Sequence, residues 1–339
     1  MTGLNRSVLS NDQGNAAVIR WGILGTGNIA RQFAEGLKSA RGAVLQAVGS
    51  RTAATAEDFG TLFGIPHCHV SYEALAADPE VDVVYIATPH PLHKDNSMLC
   101  LNAGKAVLCE KPFTINRREA EEVVACARRN NRFLMEAMWT RFLPAVLQAH
   151  RWVREGLIGK VRMIRADFGF RAGYEEEPGL FDLKMGGGAL LDVGIYPISL
   201  SAMVLGVHPV NITAMATLGP TGVDDQNLVA LQYENGALAL TASAVRTETP
   251  QDAHIIGEKG FITLHAPFWR AEAVTLTLPG RDPETHHLPL TGNGYNYEAE
   301  AVVTCMHLGK TECDTMSLND TVALMGILDT ARAQWGLRY

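Results

Sequence analysis

In the first half of the chain, short apolar runs alternate with longer stretches whose apolar residues recur at helical spacing. Runs at 23–24, 44–49, 81–87, 106–109 and 133–137 read as strands, and 30–40, 53–63, 91–103 and 117–129 as the helices between them, the third closed by Gly104. Strands that are apolar on both faces, each followed by a helix, have the rhythm of parallel βαβ units and predict a Rossmann-like domain. After Val161 the rhythm changes. Runs at 162–170, 210–218, 227–233, 237–245 and 253–264 alternate apolar with polar residues, and Asn235-Gly236 and Lys259-Gly260 read as hairpin turns in an antiparallel sheet. Helices are expected at 192–205, 297–308 and 318–335. At 339 residues the chain exceeds one core, and the expected organisation is a polar, disordered tail at 1–16, a Rossmann domain at 17–138 and a second domain at 139–339.

Glycine placement gives the first domain a ligand. Gly25, Gly27 and Ala30 fall at the G-x-G-x-x-G/A spacing between a strand and a helix start. The first glycine permits the turn, the second lets a pyrophosphate approach the backbone, and the helix amides then face its negative charge. Gly25, Thr26, Gly27, Asn28 and Ile29 are expected to hold a dinucleotide. At the end of the second strand, where a carboxylate would bind the ribose of NAD, stands Gly49-Ser50-Arg51-Thr52. Nothing there repels a 2′-phosphate, and Ser50 and Arg51 can bind one, so NADP is preferred, with NAD possible.

Two loops at strand ends carry further polar residues. Thr88, His90 and His93 lie after the third strand and are expected at the cofactor; their spacing lacks carboxylate or thiol companions, and no metal is expected there. His67-Cys68-His69 is weaker still as a metal motif; it lies between a helix and a turn and reads as having a local core or surface role. Glu110-Lys111-Pro112 ends the next strand. A lysine there can sit beside a nicotinamide, bind a substrate hydroxyl or lower the pKa of a neighbouring acid, or it can simply pair with Glu110 at the surface.

Composition narrows the partners. The formal net charge is −7 with no block of lysines or arginines, so nucleic acid is not expected. Six scattered cysteines without C-x-x-C spacing read as reduced thiols in a cytoplasmic protein. No apolar run is read as approaching the roughly 18 residues that span a bilayer, and residues 1–16 lack the order of a signal peptide, so no membrane partner is expected.

The glycine turn, Glu110-Lys111-Pro112 and the run from Gly186-Gly187-Gly188 through Asp192 to Tyr196 together resemble the Gfo/Idh/MocA oxidoreductase family, from about residue 19 to near the C-terminus. The stretches from Leu134 to Phe142 and from Thr221 to Asp225, with tyrosine at 196, resemble its dimeric dihydrodiol dehydrogenase branch, which includes NADP-linked D-xylose dehydrogenases. The resemblance implies an α/β Rossmann domain followed by an α/β domain with a large, mostly antiparallel open sheet, through which two copies form a homodimer. It implies an NAD(P)-dependent dehydrogenase acting on the hydroxyl of a small polyol or sugar. Glu110 and Lys111 then join the cofactor site.

Many family members place an aspartate and a histidine after the glycine run. Here Asp192 keeps its place and Tyr196 replaces the histidine, and the branch implies that Tyr196 is the acid/base. Free tyrosine titrates near pH 10, so Lys111 is expected to lower its pKa by about two, with Asp192 orienting Lys111 or substrate. Trp139 and Arg141 are expected in the substrate pocket, although Arg141 has a second reading as a brace between domains. Phe168 and Phe170 read as core or pocket residues, and Trp269 receives no role. The rival functions are a sugar ketoreductase and a non-catalytic NADP-binding sensor.

Overall fold

A computed structural model describes residues 17–339; the tail expected at 1–16 lies outside the described residues. The first part runs β1 (Ile19–Leu24), α1 (Asn28–Leu37), β2 (Ala43–Gly49), α2 (Ala53–Phe63), β3 (His67–His69), α3 (Tyr72–Ala77), β4 (Val83–Ile86), α4 (His93–Asn102), β5 (Ala106–Glu110), α5 (Arg117–Asn130) and β6 (Leu134–Ala137). Its strands form one parallel sheet in the order β3-β2-β1-β4-β5-β6. The order reverses between β1 and β4, and the loops after these two strands flank the crevice where such sheets take ligands.

Local chemistry sets the ends of these helices. Thr52 caps α2 by accepting the Thr55 amide, and Gly64 closes it in the left-handed region. Asn116 caps α5 by accepting the Glu119 amide, while Arg128 and Arg129 sit in its last turn, favourable to the helix dipole. β3 and α3 were not anticipated. His67-Cys68-His69 is an edge strand rather than a connector, because His67 and His69 both bind Asp78 just past α3.

The second part contains α6 (Pro144–Arg154), β7 (Val161–Gly169), α7 (Ile195–Leu205), β8 (Asn211–Leu218), β9 (Asp224–Gln232), β10 (Leu238–Ala244), β11 (Ala253–Gly257), β12 (Gly260–Leu264), β13 (Ala273–Thr277), β14 (Glu284–His287), α8 (Tyr295–His307) and α9 (Leu318–Ala333). The sheet order is β14-β13-β12-β11-β7-β10-β9-β8, antiparallel except for β10 against β7. The run at 253–264 is a hairpin, and β13 and β14 extend the sheet beyond the strands expected. α7 and α9 pack on this sheet, while α8 returns to α1 and ties the second part to the first. Arg41 of the α1–β2 connection binds Glu300 of α8 at 2.9 Å, and Asn293 donates to the Gln32 carbonyl at 2.7 Å.

One expectation about apolar runs is corrected. Leu183–Leu205 is a 23-residue helical succession with mean hydropathy 1.6, long and apolar enough by composition to cross a membrane. It was missed because glycines and Asp192 interrupt it. Most of its apolar window is buried, 78%, and α7 at its end packs on the sheet and α9, which accounts for its composition by core packing.

Candidate active site

The turn after β1 has the shape a dinucleotide needs. Gly25 has φ +109°, and a Cβ there would lie 2.7 Å from the Ala87 carbonyl oxygen, so no other residue fits without displacing backbone. At Gly27 a Cβ would meet nothing within 4 Å, which leaves an open approach to the backbone. No side chain caps α1 and its first turn holds no acidic residue, so its amides are available to an anion. Thr26 and Ile29 are half-buried and Asn28 is exposed beside them, while Ala30 is buried under the helix. These residues fit a dinucleotide pyrophosphate.

At the end of β2, Ser50 is buried, its amide donating to the His69 carbonyl at 3.1 Å and its hydroxyl 2.6 Å from that of Thr55. Arg51 is exposed and makes no hydrogen bond or ion pair among the described residues. Its guanidinium is available to a phosphate, whereas Thr52 is occupied as the α2 cap.

The strand end of β5 delivers Lys111 toward the second domain. Its ammonium donates to the Asp192 carbonyl at 2.8 Å and to Asp192 Oδ1 at 3.2 Å, and lies 5.2 Å from the centre of the Tyr196 ring. Burial, the largest influence on Lys111, opposes its charge, but Asp192 and Glu110 outweigh burial and hold its pKa above the ordinary lysine value. Asp192 lies in a π-helical turn, Leu190–Gly194, that leads directly into α7, and Tyr196 is in the first turn of α7. The glycine run before this turn is a close fit: a Cβ on Gly188, at φ +110°, would lie 2.3 Å from Asp224 Oδ1. Asp224 in turn accepts the Leu190 amide at 2.8 Å and thereby fixes the start of the turn.

Tyr196 does not have the lowered pKa expected of it. Burial first, then the nearby carboxyl groups of Glu110 and Asp192, push its phenol well above 10, against the opposing hydrogen bond from Trp139. Lys111 stands over the ring face and is paired with Asp192, so its charge does little for the phenolate. The resting form of Tyr196 is the phenol.

Several expected site residues prove to support the site from behind. Glu110 is buried and accepts hydrogen bonds from the Tyr85 hydroxyl and, at 2.9 Å, from the Lys111 amide. Burial pushes its carboxyl up to about 7. His93 is fully buried, its two ring nitrogens 2.8 Å from the Pro112 carbonyl oxygen and 2.7 Å from that of Thr88. It pins the β4 loop to the Lys111-Pro112 loop with both ring nitrogens engaged. Thr88 is likewise buried and accepts from Asn96 at 3.1 Å. His90 is half-buried, with Nδ1 3.3 Å from the Gly186 carbonyl oxygen; burial, then His93 and Lys111, take its pKa down to about 3, so it is neutral.

The pocket residues divide differently from expectation. Arg141 is buried and spends its guanidinium on Ser199 Oγ at 2.9 Å, Asp320 at 2.8 Å and the carbonyls of Thr315 and Ser199. Its partners all belong to the second domain, so it braces that domain internally and not the joint between domains, and its buried charge is paired with Asp320. Trp139 is buried as well. It stacks on Tyr295 with ring centres 4.5 Å apart and donates its indole N–H to the Tyr196 hydroxyl at 3.2 Å, so it aims the tyrosine from behind. Phe168 packs against the Tyr196 ring at 5.4 Å and stacks on Trp269 at 4.8 Å with an interplanar angle of 2°. Trp269 and Tyr295 were therefore missed as members of an aromatic wall around Tyr196. Both come from loop or helix-start positions far along the chain, without a motif. Glu298 of α8, fully buried with neither carboxylate oxygen hydrogen-bonded among the described residues, also lacks a sequence signal; burial pushes its carboxyl well above the usual carboxylate range.

Comparison with known proteins gives the chain a family. Residues 19–138 match the GFO/IDH/MocA pattern described as an oxidoreductase family with an NAD-binding Rossmann fold, and residues 146–263 match the GFO/IDH/MocA C-terminal domain. The chain is 40% identical to trans-1,2-dihydrobenzene-1,2-diol dehydrogenase of Danio rerio over 332 residues, 95% of this chain and 98% of that protein. The crystal structure of aldose-aldose oxidoreductase from Caulobacter crescentus complexed with glycerol superposes with TM-score 0.86 at 26% identity, covering 94% of this chain and 98% of that one. KijD10, a 3-ketoreductase from Actinomadura kijaniata in complex with NADP and TDP-benzene, gives TM-score 0.81 at 26% identity over 93% and 97%.

Proposed function

The chain belongs to the GFO/IDH/MocA oxidoreductase family, and from that premise we propose that it moves a hydride between NADP and a ring hydroxyl of a small cyclic diol or sugar. A trans-dihydrodiol and a D-xylose-like pyranose are the substrates in view. One observation carries the reading: Lys111 Nζ, bound to Asp192 at 3.2 Å, lies over the ring of a tyrosine whose hydroxyl is aimed by Trp139. A dinucleotide-binding sensor has no use for that arrangement.

The residues around the glycine turn hold the cofactor, with Arg51 at the 2′-phosphate. When bound, NADP supplies the nicotinamide carbon that takes or gives the hydride. Lys111 binds the substrate oxygen with an ammonium proton that Asp192 leaves free, and stabilises negative charge as it develops there. Tyr196 exchanges the proton with the same oxygen. Asp192 acts through Lys111, and Trp139 through Tyr196; both are positioning residues. The aromatic wall of Phe168 and Trp269 offers the apolar face that a dihydrodiol ring or the C–H face of a pyranose prefers.

A ketoreductase is the second reading, favoured by the proton that burial holds on Tyr196. A phenol is ready to protonate a developing alkoxide, whereas oxidation first requires its loss. Screening purified protein with NADP+ against dihydrodiols, xylose, glucose and inositols, and with NADPH against the matching keto compounds, separates the readings. Turnover in the oxidative panel supports the first and turnover confined to the reductive panel the second. Cofactor binding without turnover in either panel removes both.

The functional unit is a homodimer joined through the open face of the eight-stranded sheet. Leu228, Leu238, Leu240 and Met215 are exposed there, an apolar surface that a second copy would cover. All six cysteines are free, which suits a reducing compartment such as the cytoplasm.

A further inference from the structure

We propose that His67, His69 and Asp78 form a divalent metal site of the zinc type at the edge of the Rossmann sheet. The site is separate from the chemistry above. β3 is the edge strand and Lys111 follows β5, four strand spacings away, or about 19 Å across the sheet.

The donor atoms converge by construction. His67 and His69 are two residues apart on one strand, so both side chains leave the same face. His67 Nδ1 and His69 Nε2 reach the same oxygen, Asp78 Oδ2, at 2.7 and 2.8 Å, and the three donor atoms lie within 4.8 Å of one another. Cys68, between the histidines, points to the other face, its sulfur toward the Ile65 carbonyl, and is not a donor. Two imidazoles and a carboxylate are the ligand chemistry of Zn2+ and its neighbours Co2+ and Ni2+, and both imidazoles are partly exposed, His67 34% and His69 23%, so an ion can reach them. Donors around a tetrahedral zinc stand about 3.3 Å apart, so metal entry asks the two His–Asp78 pairs, now at 2.7 and 2.8 Å, to open by about half an ångström.

The surroundings are those of a ligand set rather than of a chance contact. The Asp78 side chain is 3% exposed, and its other oxygen, Oδ1, already accepts the Glu80 amide at 2.8 Å, which leaves Oδ2 to the histidines. Metal binding needs the Nδ1 lone pair of His67, which places that ring's proton on Nε2. Nε2 lies 3.3 Å from Glu80 Oε2, which also accepts from the Gln46 side chain at 2.8 Å, so Glu80 stands where an outer carboxylate would orient a metal-bound His67. The His69 carbonyl accepts the Ser50 amide, so the site lies one hydrogen bond from the loop that presents Arg51.

The test uses the full chain without a polyhistidine tag, stripped with chelator and titrated with ZnCl2 by calorimetry. One zinc per chain is expected, with affinity lowered at least about a hundredfold in the His67→Gln/His69→Gln double variant and about tenfold in Glu80→Gln. Titration with Co2+ should give the intense visible bands of a tetrahedral site, absent from the double variant. No stoichiometric uptake by the wild-type chain would overturn the proposal and leave the cluster a hydrogen-bonded clasp. Unchanged affinity in the double variant would also overturn it, by placing the metal elsewhere. Should the double variant not fold, the Co2+ spectrum of the wild-type chain and its weakening in Glu80→Gln decide alone.

Discussion

The central strands of the six-stranded sheet are buried at every position, β4 as Val-Val-Tyr-Ile and β5 as Ala-Val-Leu-Cys-Glu. In the eight-stranded sheet, β9 and β10 alternate buried with exposed positions, and the exposed set includes Leu228, Leu238 and Leu240. A sheet covered on both faces has no surface left except its strand ends, and there the glycine turn, the β4 loop and Lys111 gather. A sheet covered on one face keeps the other as a surface, suited to a partner but distant from strand-end chemistry. The second sheet contributes to the proposed site through what crosses its covered face: Asp192 and Tyr196 ride on the helical succession packed there, and Phe168 comes from β7.

If this division of labour is right, lesions at the strand-end cluster should cost turnover without altering assembly. Tyr196→Phe is expected to lower kcat by about a hundred- to ten-thousand-fold while the Tm and cofactor Kd stay near wild type, as measured by steady-state kinetics and calorimetry. Unchanged turnover would remove Tyr196 from the mechanism. In the wild-type enzyme the raised phenol pKa fixes the sign of the pH response. Oxidation, which needs the phenolate, should accelerate as pH rises through the alkaline range; reduction, which needs the phenol, should hold until the same region and then decline. A pH profile with oxidation flat from neutral to alkaline pH would contradict this assignment.

A lesion on the open face should do the reverse. Leu240→Glu would place a charge in a self-complementary interface and is expected to weaken dimerisation about a hundredfold or more, read by sedimentation, with cofactor binding retained. A dimer of unchanged stability would show that another surface joins the copies. The smallest effect is expected at the exposed end of the cofactor cradle. Arg51→Asp should reduce the preference for NADP over NAD by about tenfold or more, measured as the ratio of kcat/KM values, and an unaltered ratio would dissociate Arg51 from the 2′-phosphate.

The chain's own pattern determined the Rossmann rhythm, the glycine turn at Gly25 and Gly27, the two hairpin turns and the placement of Asp192 and Tyr196 four residues apart on one helical segment. These depend on local chemistry: apolar periodicity, backbone freedom at φ > 0 and short spacings within one element. Tertiary structure alone decided which side of each residue is used. Arg141 became a brace because Ser199 and Asp320, from two later helical segments, close around it. Trp139 turned from pocket wall to support for Tyr196 because Tyr295 covers its ring. The Tyr196 pKa moved opposite to expectation because burial and two carboxyl groups outweigh a cation that Asp192 already neutralises. Such outcomes depend on desolvation and on contacts between residues far apart in the chain, 58 positions for Arg141 and Ser199 and 179 for Arg141 and Asp320, which no local pattern encodes.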